Sequence, residues 1–482
     1  MQSVMAEEQH QVVHKYKVIP IMVSLLICGF IGMFNETSLN VVLSDLINQF
    51  QITASTAQWL TTGYLLTLGI LVPVSGMFLQ WFSTRQLFAA SVLLAILGTA
   101  VATVSPGFEL LMIARVIQAA GVALVLPLMF HTVLVIVPLE KRGTTYGLIG
   151  LVLVVAPAVG PTISGLLIEQ LSWNWIFGLT LPVLLLALLI GIRYMQNITT
   201  ITKPKIDVSS LILSTLGFGG IVFAFSSAGE VGLGAPKVVI PLIVGLLAIL
   251  IFAGRQLRMK QPMMDLRAFK HPMFSVGTIM LMIAVMVMMA TMILLPMYLI
   301  RGIGLDAFST GLVLLTGGIV NAVTQPIMGR VFDKFGPRLV VPAGMVLIAV
   351  VLWLLSGITL TTAIIHIILL HTFLMIGISM VWMPSQANGL NQLTPSLYPH
   401  GSAIMNTVQQ VAGAIGTAVA ISIMSAGINS FLKQTADQSD PANAALAMTA
   451  GIQQVFGIAV GIAIVGFICS LFMRRVQGSK EQ

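Results

Sequence analysis

Charge is what this chain most lacks. Asp, Glu, Lys and Arg make up 8% of 482 residues, against about 25% in an average soluble protein. Acids are scarcer than bases, 15 against 23, and 57% of the chain is hydrophobic. So little charge excludes a soluble domain and a disordered chain alike. The 23 basic residues are dispersed, so nothing here serves as a nucleic-acid surface. Cysteine is nearly absent: Cys28 and Cys469 lie in apolar runs, which excludes a disulfide framework and leaves small apolar packing. No metal cluster is visible, and His366 and His371, five apart, are poorly spaced for one. A nucleotide-binding loop, a catalytic dyad in opposed spans and a filter-like pore loop are missing too. Residues 1–17 are polar without a cleavable-signal pattern, so the first apolar run is expected to remain as a span.

What the chain has is long unbroken apolar runs, with a mean hydropathy of +1.02. Barrel strands would alternate over about ten residues, so these runs predict helices. Fourteen span cores follow: Val18–Leu43, Ala57–Trp81, Gln86–Val104, Phe108–Val137, Thr144–Leu171, Trp175–Tyr194 and Val208–Ala228. The rest are Val238–Ala253, Phe274–Ile300, Ser309–Val331, Leu339–Gly357, Thr362–Met383, Ser402–Phe431 and Ile452–Met473. With both termini cytoplasmic, 19 of the 23 basic residues fall on the inner side. Lys237, Arg301 and Lys433 fall outside, and Arg115 lies within span four. A wrong span count would scramble that segregation.

An internal repeat organises the runs. Gly76 to Arg85 after span two and Gly329 to Arg338 after span ten share the pattern Gly-x-x-apolar-polar-x-Phe-small-x-Arg, offset by 253 residues. A motif repeated at one place in each half marks a duplicated transporter. Its acid can cap a neighbouring helix start while its Arg holds carbonyls, locking one conformation. The expected layout is an all-α integral membrane protein of two six-helix bundles plus two extra linker helices. Its parts are a cytoplasmic segment 1–17, an N-terminal bundle 18–195, a linker 196–272, a C-terminal bundle 273–473 and a tail 474–482.

These motifs resemble the major facilitator superfamily. Gly329, Asp333, Gly336 and Arg338 match its gating motif, whereas in the first copy, between Gly76 and Arg85, Gln80 and Ser83 replace the expected Asp and Gly. Arg115, Gln118 and Gly121 are similar to the family's proton-coupling motif on span four. Pro157, Gly160, Pro161 and Gly165 on span five resemble the antiporter motif, with Ser164 in place of one Gly. Gln261–Phe269 resembles a segment of the fourteen-span drug:proton antiporter branch. That branch's span-one signature is approximated by Asn35, Glu36, Thr37 and Asn40, the acid being moved by one position. The combination is similar to the lincomycin-resistance type of multidrug exporter. The resemblance implies export driven by the proton as coupling ion, with no other cofactor and no enzymatic activity, in a bacterial-type cell membrane.

Read without the family, Glu36 is the exceptional acid, since nearly all others lie in loops or at span ends. Glu36 and Arg115 each lie about eight residues, or about 12 Å, below the outer ends of their spans. An ionisable group in hydrocarbon must be paired or face water, so both are expected in one aqueous cavity. Burial favours a protonated carboxyl and a nearby cation favours an ionised one. A cationic substrate or Arg115 would thus switch Glu36, coupling export to protons; the alternative is that Glu36 braces helices through Asn40. Further cavity candidates are Asn35, Gln58, Trp59, Tyr64, Gln118, Gln325, Asn406 and Gln410, with Met289 and Met292 from methionine-rich span nine. For His131, His366 and His371, and for the polar groups of spans ten and thirteen, interhelical hydrogen bonding is expected ahead of a place in the cavity. Span five, with its Gly and Pro, is expected to act as a bent pivot between the halves.

A single acid favours neutral or monocationic lipophilic substrates. The expected activity is multidrug:proton antiport by a monomer, with small lipophilic molecules and the bilayer as its partners. The alternatives are a dedicated exporter of one metabolite, lipid or peptide, and a transporter-fold sensor.

Overall fold

The computed structural model describes residues 17–199, 201–205, 207–232, 234–434 and 441–475. Asn40 and a few other helical residues are described by backbone alone, so the expectation for its side chain lies outside the described residues. No strand occurs among the described residues. In the first half, the helices are α1 (Val18–Phe50), α2 (Ala54–Trp81), α3 (Thr84–Thr103), α4 (Phe108–Ile136), α5 (Leu139–Gln170) and α6 (Asn174–Tyr194). α7 (Val208–Val231) and α8 (Pro236–Arg258) follow. The last six are α9 (Pro272–Met297), α10 (Ala307–Phe335), α11 (Pro337–Leu355), α12 (Ile364–Asn391), α13 (Tyr398–Leu432) and α14 (Pro441–Ser470). All fourteen contain an apolar stretch long enough to cross a membrane.

Several helices outrun the apolar cores read from the sequence. α1 continues past Leu43 to Phe50, where Gln51 turns left-handed at φ 51°. α14 starts at Pro441, eleven residues before Ile452. Hydropathy marks where hydrocarbon is matched, whereas backbone hydrogen bonding carries a helix on into polar residues. Local chemistry sets the starts. Thr53 caps α2 by accepting from the Thr56 amide, and Asp306 caps α10 by accepting from Ser309. Ser83 caps α3 in a reciprocal capping box with Gln86. This explains why the first motif copy holds Ser where the second holds Gly: Gly336 sits at φ 77°, which a side chain resists, and Ser83 sits at φ −65°.

The duplication extends to helix packing. α1 packs on α5 as α9 packs on α13, α2 on α4 as α10 on α12, and α3 on α4 as α11 on α12. α2 and α10 begin at Ala54 and Ala307, 253 residues apart, the same offset as the motif. Two seams join the halves: α5 against α10, and α2 against α13. α7 pairs with α8 and also lies against both α2 and α13, so the linker helices straddle one of the two seams. Just before α7, Asp207 takes two hydrogen bonds from the Arg255 guanidinium at 2.7 and 3.0 Å. Those bonds hold its carboxyl down at about 2. The pair is therefore intact at neutral pH and is lost only as the pH falls from about 4 toward 2.

At the end bearing most basic residues, both seams are shut. A Cβ on Gly329 would lie 2.2 Å from the Gly143 carbonyl oxygen, and one on Gly147 would lie 2.5 Å from that of Gln325. At the other seam, a Cβ on Gly76 would lie 3.1 Å from the Ala403 Cβ. Asp333 accepts from the Gly143 amide, the Thr144 amide and the Thr144 hydroxyl, each at 2.7 Å, tying α10 to the first turns of α5. Arg142 adds a bond to Asn391 Oδ1 at 3.0 Å. In the other copy, Gln80 Nε2 lies 3.3 Å from His400 Nε2, and His400 Nδ1 accepts from the Asp265 amide at 3.2 Å. The acid-based lock thus belongs to the second copy alone.

Of the two motif arginines, one meets the expectation that it holds carbonyls and the other does not. Arg85 donates to the Ile192 carbonyl at 3.0 Å, which closes the end of α6. Arg338 is exposed and makes no hydrogen bond among the described residues. Arg475 takes the expected role at the end of α10, donating to the Asp333 carbonyl at 2.7 Å and the Lys334 carbonyl at 3.3 Å. Gly336 leaves room for it, its Cβ position lying 3.2 Å from Arg475 Cδ.

Two outcomes are expected. Gly147→Leu must push α5 off α10, which costs about 1–3 kcal/mol of overpacking and lowers the apparent melting temperature in detergent; Gly165→Leu, which points into open space, leaves it unchanged. Asp333→Asn weakens the cross-seam latch, so spin labels at the exposed Lys141 and Lys334 positions should show a longer, broader distance distribution.

Candidate functional site

Between the two bundles lies a cavity of about 1650 Å³. Its walls come from α1, α2, α5, α7, α9, α10, α12 and α13. Lining residues run from mid-helix positions such as Glu36, Leu153, Asn321 and Trp382 to helix ends away from the basic end, such as Gln58 and Phe308. The cavity is therefore floored at mid-depth by the shut seams. Its walls are mostly Leu, Val, Ile, Met, Phe and Ala, with scattered hydroxyls and amides.

Among the residues whose side chains are described, Glu36 is the only acid in this lining. Its Oε2 is buried and has no hydrogen-bond partner. The segment around it is seated by the antiporter-type motif of α5. A Cβ on Gly160 would lie 2.6 Å from Thr37 Oγ1 and 3.1 Å from Ser38 Oγ, so that glycine lets α1 press directly on α5. Pro157, Pro161 and Gly165 from the same motif face the cavity.

Arg115 does not share the cavity, contrary to expectation. It is fully buried inside the N-terminal bundle. Nη1 donates to the Asn35 carbonyl at 2.9 Å and to Gln118 Oε1 at 3.2 Å, and Nε donates to the Leu60 carbonyl at 3.3 Å. The guanidinium lies 4.1 Å from the centre of the Tyr64 ring, whose hydroxyl donates to the Gly32 carbonyl at 3.0 Å. Carbonyls and an aromatic face thus meet the cation where water was expected to. It makes no ion pair with Glu36 and instead grips the backbone of the preceding residue. Nη2 and Asn35 Oδ1 are left without partners.

The cavity candidates divide accordingly. Gln58, Met289, Met292 and Gln410 line it. Asn35, Tyr64 and Gln118 line a separate small pocket inside the N-terminal bundle, with Gln118 donating to Thr99 Oγ1 at 3.0 Å. Trp59 turns outward, 38% exposed, with its ring 5.9 Å from that of Phe223 on α7. Gln325 is buried in the α5–α10 seam, where a Cβ on Gly150 would lie 2.8 Å from its Oε1. Asn406 donates to the Ser402 carbonyl of its own helix at 2.8 Å. One physical reason covers these departures: helices that are apolar all round carry no signal for which face meets the cavity. His131 and His371 lack a partner at Nδ1, against the expectation of interhelical bonding.

Reading the sequence also missed lining residues. Thr37, Asn321, Trp382 and Gln409 belong to the cavity, as do Val222, Phe225 and Ser226 of linker helix α7; His371, weighed in the sequence between the cavity and interhelical bonding, lines it too. For Thr37 the signal was present, one position after Glu36. For α7 it was absent, because an inserted helix pair gives no hint that it packs across a seam.

Comparison with known proteins agrees with this architecture. The sequence profile of the Major Facilitator Superfamily matches residues 25–417. The chain is 57% identical over 465 residues to the "Lincomycin resistance protein LmrB" of Bacillus subtilis, covering 96% of this chain and 97% of that protein. It is 29% identical over 387 residues to the "Multidrug resistance protein B homolog" of Mycobacterium tuberculosis strain CDC 1551, covering 80% and 72%. Among solved structures, the human organic anion transporter MFSD10 aligns with a TM-score of 0.65 at 12% identity, over 94% of this chain and 99% of that one. The proton:xylose symporter XylE aligns at 0.62 and 13%, over 94% of each. At such identities the likeness concerns the fold alone. The duplicated bundles, the two seams and the extent of these matches lead to one conclusion: the chain belongs to the Major Facilitator Superfamily of membrane transporters.

Proposed function

We propose that this protein is a proton-coupled multidrug exporter, exchanging protons for lipophilic neutral or monocationic compounds by alternating access. The observation that carries the proposal is Glu36: the one carboxyl among the described side chains in the wall of a large apolar cavity, with Oε2 buried and unpartnered. A carboxylate oxygen without a donor is tolerated when it holds a proton or faces a cation. Proton and cationic substrate then compete for one acid, and that competition suffices for antiport. A single acid disfavours dications. The relatives named for lincomycin resistance and multidrug resistance support the export direction.

By the distribution of Lys and Arg, the shut end is cytoplasmic and so are both termini. The conformation is then outward-facing, with Glu36 open to protons from outside. Rocking about the α5–α10 and α2–α13 seams would break the Asp333 latch and expose the same cavity inward. Arg115 acts as a positioning residue: it anchors the α1 backbone at Asn35, beside Glu36, and links that turn to α2 and α4. The protein works as a monomer, and the proton is its only coupling partner.

Efflux measured in everted membrane vesicles tests this reading. Glu36→Gln is expected to reduce proton-driven transport of every substrate to background while expression and folding persist; gradient-driven pumping at the normal rate by that variant would sink the assignment. Arg115→Lys keeps the charge but loses the planar fork that reaches two carbonyls. It should slow proton-coupled efflux while leaving substrate affinity in de-energised membranes unchanged, and normal coupling would remove Arg115 from the mechanism. Transport of three or more unrelated dyes or antibiotics separates a multidrug exporter from one dedicated to a single compound.

A further inference from the structure

The cavity has two chemically different walls. Glu36 supplies an acid from the N-terminal bundle, beside uncharged groups such as Thr37, Gln58 and Thr62, whereas the described polar groups of α10, α12 and α13 are all uncharged. Three of these have unmet hydrogen-bonding capacity. His371 and Trp382, 4% and 2% exposed, and the more open Gln409 all line the cavity. His371 Nδ1, Trp382 Nε1 and Gln409 Oε1 are buried without partners. An unpartnered buried polar group costs about 1–3 kcal/mol, and a buried indole N–H ordinarily finds an acceptor.

The setting of His371 sharpens the point. Its ring lies against α10 at Gly317, where a Cβ would stand 2.3 Å from Nδ1. That glycine admits the ring but offers Nδ1 no partner, which leaves Nε2, itself without a hydrogen bond, for a ligand. The neighbouring amides do not help it: Asn321 donates to the Met375 sulfur at 3.4 Å and accepts from Gln325 at 3.2 Å. Packing holds the ring in place, and its polar edge stays unused.

We propose that His371, Trp382 and Gln409 form a neutral hydrogen-bonding subsite that recognises hydroxyl or ether oxygens on a substrate whose ammonium faces Glu36. The substrate class is a monoamine with a hydroxyl-rich end, as distinct from a cation clothed only in hydrocarbon. Ordinary ligand sites occupy about 300–1,000 Å³, so a cavity of about 1650 Å³ accommodates a molecule reaching both walls. The subsite rests on the exporter reading for its purpose but not for its binding chemistry.

Two probes separate the walls: lincomycin, an amine bearing a polyhydroxylated sugar, and tetraphenylphosphonium, a cation without hydrogen-bonding groups. Binding is measured by equilibrium dialysis on the purified chain in nanodiscs, and transport in vesicles. His371→Phe and Trp382→Phe keep an aromatic ring and lose the polar nitrogen. Each should weaken lincomycin binding by about tenfold, the scale of one or two lost hydrogen bonds, and leave tetraphenylphosphonium binding unchanged. His371→Gln should retain most lincomycin affinity, which a purely structural histidine would not predict. Unaltered lincomycin binding in both Phe variants, an equal loss for both probes, or no lincomycin binding by the native chain overturns the subsite. Selective binding loss in a chain that pumps neither probe would uphold the subsite and remove the exporter reading.

Discussion

An ionised group has no stable place in hydrocarbon unless protein or water takes over its solvation, and the organisation of this molecule follows from that constraint. It drives most Lys and Arg to one end of the helices and leaves few charges at depth. Glu36 and Arg115 answer it in opposite ways. Arg115 is solvated by two carbonyls, an amide oxygen and a tyrosine ring, and is lost from water altogether. Glu36 stays at the wall of a cavity with one oxygen unpartnered. The first arrangement ties α4 to α1 and α2; the second leaves a carboxyl at a cavity wall with hydrogen-bonding capacity unused, as the proposed coupling role requires.

Close backbone approach is the second organising feature. In a membrane, apolar side chains gain nothing by leaving lipid for a neighbour, so helices associate through fit and polar contact. Gly143, Gly147 and Gly329 bring α5 and α10 into backbone contact, and Asp333 adds three hydrogen bonds across the same seam. The α2–α13 seam repeats the geometry with weaker chemistry, a Gln80–His400 approach in place of an acid on amides. It also carries an outer cover that the other seam lacks, since α7 lies across it and adds three residues to the cavity wall. The two halves are related in fold and unequal in how firmly they lock.

Much of this was legible in the chain. Fourteen spans, the repeat at an offset of 253 and the exceptional acid at Glu36 all follow from hydropathy, spacing and the scarcity of charge. Gly76, Gly160 and Gly329 could be singled out because the motifs required close packing, and each sits where a side chain would collide with a neighbouring helix. The cavity lining was less accessible. Gln58, Met289, Met292 and Gln410 face it, whereas Tyr64, Gln118, Gln325 and Asn406 face other helices. Nothing in an apolar stretch distinguishes those two groups, because lipid, a neighbouring helix and an apolar cavity wall accept the same side chains.

The sequence by itself determined that this is a membrane protein, how many times it crosses, that it is duplicated, and which acid stands alone. Those are consequences of local composition and of distances along the chain. Only the tertiary structure decided that Arg115 belongs to the interior of one bundle, that Arg475 replaces Arg338 at the end of α10, and that α7 borders the cavity. It also set the unmet polar groups of His371 and Trp382 across from Glu36. These depend on the rotation of each helix about its axis and on which helices meet, and in hydrocarbon both are fixed by shape and a few polar contacts between segments far apart in the chain.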